Sequence, residues 1–151
     1  MVIDRSTTAL VVDSTADLPE SLAGDPNLSM VPLTVFFGEE SYLDQVELSP
    51  WQFYQKLAAA PELPKTSQPA PGIWTELYTR LREQYSRVYS VHLSTHFSGT
   101  YETARMAAAE IDGVTVVDSQ LATGGFALLV DRLMERIDRG TPQEEFDAYI
   151  E

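Results

Sequence analysis

The sequence predicts an α/β fold, a mostly parallel sheet with helices on both faces in a Rossmann-like three-layer arrangement. Three observations carry that expectation. Short apolar runs at 9–13 (ALVVD), 87–94 (RVYSVHLS) and 114–118 (VTVVD) suit strands buried within such a sheet. Segments of helical period lie between them, which implies right-handed crossovers. Two strand ends read alike, Val11-Val12-Asp13-Ser14 and Val116-Val117-Asp118-Ser119, and a third ends at Ser94-Thr95. A parallel sheet would gather these hydroxyl-rich ends on one edge, where ligands of such sheets sit. At 151 residues, 44% of them hydrophobic, the chain is sized for a single domain over 1–151.

After the first strand, STADLPESLA reads as a turn and a short helix, with Asp17 as N-cap, Pro19 in the first turn and Glu20 closing a capping box. Residues 28–37, LSMVPLTVFF, read as a second strand whose early part Pro32 confines to an edge, and Gly38–Ser41 turn the chain. Ser49-Pro50-Trp51-Gln52 opens a helix with a Ser cap and Gln at the third position. Its Phe53, Tyr54 and Leu57 are expected in the core. In residues 61–72, PELPKTSQPAPG, the prolines exclude a regular helix or a central strand and leave a stiff surface connection.

Ile73, Leu77, Leu81 and Tyr85 then mark an amphipathic helix. Tyr101, Ala104, Ala108 and Ile111 line one face of a helix over 100–111, and Leu129, Leu133 and Ile137 point inward from another near 123–139, ended by Gly140. Thr141-Pro142-Gln143-Glu144 reads as a capping box opening a last helix. The sequence stops inside that helix, so more chain is expected to belong here.

The candidate site is the loop after the central strand. Ser98, Gly99 and Thr100 begin a helix whose first N–H groups have no partner within it and whose macrodipole is positive at that end, so the loop can hold a small anion. The plainer alternative is that Ser98 is an N-cap and Thr100 a solvated neighbour. The stiff connection offers a second pair of hydroxyls, Thr66 and Ser67, with little entropy left to lose on binding.

Other chemistry is not indicated. There is no cysteine, hence no thiol nucleophile or zinc–thiolate site, and no GxSxG, GxGxxG, Walker or HExxH motif. His96 lies only two positions before Ser98, and no third residue is marked to orient it. His92 reads as a packed strand residue. Asp13 and Asp118 read as caps or turn formers, so no metal is expected. A net charge of −13 opposes nucleic acid and anionic membranes. No apolar run approaches the roughly 20 residues of a membrane span, and no signal peptide is evident. A cytoplasmic protein is expected.

Taken together, Asp13-Ser14-Thr15-Ala16-Asp17-Leu18-Pro19, Val31-Pro32-Leu33-Thr34-Val35, Leu63-Pro64-Lys65-Thr66-Ser67-Gln68-Pro69, Ser94, Phe97-Ser98-Gly99-Thr100-Tyr101 and Val117-Asp118-Ser119 resemble the DegV family of bacterial lipid-binding proteins across essentially the whole chain. The resemblance implies an amino-terminal lobe, with a long-chain fatty acid held between it and a larger carboxyl-terminal lobe absent from these 151 residues. It implies that Thr66 and Ser98 hydrogen-bond the carboxylate, aided by amides near Ser67 and Gly99. It further implies a non-catalytic carrier without cofactor, like the FakB type, which presents its ligand to a fatty acid kinase. Position 96 departs from the family, with His96-Phe97 where members often have Lys-Leu. Two other classes remain: a small hydrolase or phosphotransferase acting through Ser98, and an interaction lobe that binds no lipid.

Overall fold

The computed structural model describes residues 1–150. In chain order the elements are β1 (Val2–Ile3), β2 (Thr8–Asp13), β3 (Leu28–Val31), β4 (Thr34–Phe37), β5 (Glu40–Leu43), α1 (Pro50–Ala59), β6 (Lys65–Ser67), α2 (Pro71–Arg82), β7 (Arg87–His92), α3 (Thr100–Ala108), β8 (Val114–Asp118), α4 (Thr123–Arg139), β9 (Thr141–Pro142) and α5 (Gln143–Ile150). Four strands form the expected parallel sheet in the order β3-β2-β7-β8.

Side-chain alternation along these strands makes two cores. Leu10, Val12, Tyr89 and Val91 pack with Phe126, Val130, Leu133 and Ile137 of α4 and Phe146 of α5. Ala9, Val11 and Val88, one residue out of phase, pack with Trp74, Leu77, Tyr78 and Leu81 of α2 and Ala104 of α3. Period-two strands between helices on both faces give the three layers. A two-stranded β1–β9 ribbon and a three-stranded antiparallel sheet, β5-β4-β6, complete the fold.

Several local expectations are corrected. Residues 28–37 are two strands in two sheets, broken at Pro32, which has no N–H for a ladder. Glu40–Leu43 returns as an unexpected strand after a turn with Gly38 at φ 61°. The segment after β2 forms two 3₁₀ turns, and Asp17 ends the first in the left-handed region at φ 45° instead of capping a helix.

The Ser49–Gln52 capping box is present with both reciprocal bonds, but no α1 side chain is buried and Tyr54 is exposed. Amphipathicity there serves the small antiparallel sheet, where Phe53 meets Phe37 at 5.7 Å between ring centroids, and not the main core. Lys65–Ser67, expected as a stiff surface connection with no central strand, is an edge strand paired with β4, a position the flanking prolines allow. On α2, Ile73 is exposed while Trp74 and Tyr78 are buried, because the inward stripe runs through Trp74, Leu77, Tyr78 and Leu81 and is turned away from Ile73. Thr141 donates its hydroxyl to the Arg136 carbonyl and belongs to β9.

Candidate functional site

From β2 the chain steps sideways to β3, whereas β7 and β8 lie on the other side of β2. The order therefore reverses between β2 and β7, and the carboxyl ends of those two strands flank the crevice that open α/β sheets use for ligands. Asp13 ends β2 there. Its Oδ2 accepts from His92 Nδ1 (3.1 Å) and Leu93 N (3.0 Å), and its Oδ1 from Thr15 N (3.0 Å) and Thr15 Oγ1 (2.5 Å). Burial pushes the Asp13 carboxyl up, but these donors, His92 foremost, hold it below the usual carboxylate range.

The loop after β7 is tied to both neighbouring strand ends. Leu93 N reaches Asp13, and Thr95 Oγ1 donates to Asp118 Oδ2 at 2.7 Å. Ser94 N donates to the Leu121 carbonyl, while Phe97 N turns back to the Ser94 carbonyl. This delivers the half-buried Ser98 to the start of α3. Ser98 is not the N-cap; Gly99 is, at φ −79° and without a side-chain cap. Ser98 Oγ instead accepts from Thr100 N at 3.2 Å and shares a hydrogen bond with Thr100 Oγ1 at 2.8 Å.

The second hydroxyl segment lies on β6, with Thr66 opposite Val35 and Ser67 opposite Thr34. Both are exposed. The next residue, Gln68, joins this strand to α3: its Nε2 donates to Thr103 Oγ1 at 2.5 Å, and Thr103 Oγ1 donates to the Gly99 carbonyl at 3.1 Å. A Cβ on Gly99 would lie 2.5 Å from Gln68 Oε1, so the glycine admits this close approach. The structure thus brings the Thr66–Ser67 strand against the start of α3 through Gln68, a residue that sequence reasoning gave no role. Phe97 and Leu121, both exposed, add apolar surface on the same edge.

His96 is exposed and is not bonded to Ser98, whose hydroxyl is engaged by Thr100. The other histidine has more partners than expected. His92 is fully buried, with Asp13 on one ring nitrogen and Ser90 Oγ on the other, 2.8 Å from Nε2. Ser90 and His92 stand two apart on one strand and so share a face, the signal in the sequence that could have paired them.

The model of the DegV family, described as an uncharacterised protein family, matches residues 7–151. A DegV domain-containing protein of Halalkalibacterium halodurans is 46% identical over 110 residues, covering 72% of this chain and 39% of its own length. Protein DegV of Bacillus subtilis is 39% identical over 132 residues, covering 84% and 47%. Among solved structures, a DegV family protein of Thermus thermophilus described by its fatty acid binding superposes with TM-score 0.87 at 37% identity, covering 95% of this chain and 52% of that one. A stearic acid-binding protein of Eubacterium ventriosum superposes with TM-score 0.84 at 28% identity, covering 94% and 51%. The chain spans about half the length of the relatives and solved proteins it matches. The family match runs from residue 7 onward over nearly the whole chain, and the chain belongs to the DegV family.

Proposed function

We propose that this chain is a fatty-acid-binding lobe. Thr66 and Ser98 donate their hydroxyls to the carboxylate, and the amides near Ser67 and Gly99 complete the cradle. The acyl tail leaves along the apolar edge near Phe97, to be covered by a carboxyl-terminal lobe. The lobe carries its ligand and does not transform it; a fatty acid kinase is the partner that takes up the exposed head group.

The observation that carries this reading is the Gln68–Thr103–Gly99 bridge, which docks the Thr66 strand onto the helix start beside the sheet's switch point. The fatty acids of the solved relatives support the ligand class. Directed hydroxyls and amides are the fitting means, because a net charge of −13 repels an anion at long range.

Stearate titration by calorimetry tests the reading. Each of Ser98→Ala and Thr66→Ala removes a hydrogen bond to a charged group, worth about 1.5–3 kcal/mol, and weakens binding at least tenfold. Unchanged affinity in both variants refutes the assignment.

A further inference from the structure

We infer that Asp13 and His92 are positioning residues for the carboxylate site, holding the loop before Ser98 through a buried hydrogen-bond chain of fixed polarity that begins at Tyr78. The inference rests on the reading of Ser98 as a ligand group.

The chain runs Tyr78, Ser90, His92, Asp13, with heavy-atom distances of 2.7, 2.8 and 3.1 Å. All four residues are fully buried, and the Trp74 ring lies edge-on to His92 at 4.7 Å between centroids. An ionised carboxylate only accepts, so His92 Nδ1 carries a proton toward Asp13. Ser90 Oγ accepts from the Tyr78 hydroxyl, which turns the Ser90 proton toward His92 Nε2 as its acceptor. Each proton along the row meets one acceptor. Reversing the direction would leave the Tyr78 hydroxyl proton without an acceptor among its bonds in this row, which is costly in a sealed interior.

The order serine, histidine, aspartate invites a nucleophilic reading, but Ser90 is sealed and its oxygen already accepts from Tyr78. The chain's outlet is structural. The Asp13 carboxylate accepts four donors, two per oxygen, and they come from both strand ends: Thr15 N and Oγ1 after β2, His92 Nδ1 and Leu93 N from β7. Leu93 begins the loop that delivers Ser98. An amide in place of the carboxylate would set an N–H against one of these donor pairs whichever way it turned, releasing one loop. His92, pinned by Ser90, fixes the carboxylate's rotation.

Nitrogen-15 NMR of the 151-residue chain, with stearate as the probe ligand, tests this. In the wild type, His92 is expected with Nδ1 protonated and Nε2 bare. In Asp13→Asn and His92→Gln, the amide resonances of Leu93, Ser98, Gly99 and Thr100 shift, and stearate binding weakens about tenfold. Tyr89→Phe is the control: it also removes a hydrogen bond made from strand β7, that of the Tyr89 hydroxyl to Asp147, but lies outside the chain from Tyr78 to Asp13, so site resonances and affinity stay as in the wild type. Unmoved site resonances in folded Asp13→Asn and His92→Gln overturn the inference, as do equal shifts in Tyr89→Phe. The wild-type ring needs no variant, and a proton on Nε2, with or without one on Nδ1, overturns the polarity by itself. Wild-type protein that shows the expected resonance pattern yet ignores stearate refutes the carboxylate reading and leaves the loop's attachment to Asp13 standing.

Discussion

Gly99→Ala tests the contact on which the candidate site depends. At φ −79° the backbone accepts alanine without strain, so any cost comes from what the new methyl meets and from the cap. The methyl would lie 2.5 Å from Gln68 Oε1 and 3.3 Å from its Cδ. Gln68 must swing away and surrender its bond to Thr103, worth about 0.5–1.5 kcal/mol. Alanine is also a poorer N-cap than glycine, adding about 0.5–1 kcal/mol. The single variant should therefore lose about 1–2.5 kcal/mol, or roughly 2–10 °C in Tm for a chain of this size. In a Gln68→Ala background the clash and the bond are both absent, so only the cap contribution remains. Urea denaturation of the four proteins, followed by far-ultraviolet circular dichroism, measures the coupling. A coupling of about 0.5–1.5 kcal/mol is expected, whereas additivity within about 0.3 kcal/mol would show that strand β6 is not held to α3 through this pair.

Other consequences follow from single residues. Phe126→Ala empties a fully buried position between the sheet and α4 and should cost about 3–5 kcal/mol in the same denaturation assay. Burial raises the Asp44 carboxyl above its ordinary value, with a smaller contribution from the nearby Asp13 charge, so ionised Asp44 opposes folding at neutral pH. Asp44→Asn should therefore stabilise the protein near pH 7, with the gain fading as pH falls through the raised value toward about 4. Asp13 has the opposite sign: its depressed value contributes stability present above about pH 4 and lost as pH falls further, which the acid limb of a pH–stability profile in Asp13→Asn would show flattened.

Much of the fold was legible because its signals are local. The apolar runs that became β2, β7 and β8 stand where the sequence placed them, and the Ser49–Gln52 box and Gly140 bound their helices as expected. Errors concentrate where one pattern fits two contexts. Phe53, Tyr54 and Leu57 have the spacing of a core stripe, yet spacing cannot tell a main core from a small antiparallel sheet. The run at 28–37 is uniformly apolar, and only the three-dimensional path shows that Pro32 divides it between two sheets. At the site, Ser98 and Thr66 were legible as hydroxyls near breaks in regular structure. Gln68 was not, because an amide side chain on a proline-rich segment is ordinary until its partner is known.

Sequence alone determined the order and type of the main elements, since a period of two or of 3.6 and a capping residue are written in neighbours a few positions apart. Tertiary structure decided which segments meet. Gln68 finds Thr103 across 35 positions, and Asp13 finds His92 across 79. Pairings that distant leave no periodic trace in the chain; they exist only because β2 and β7 align side by side and the β6 strand folds back onto the start of α3.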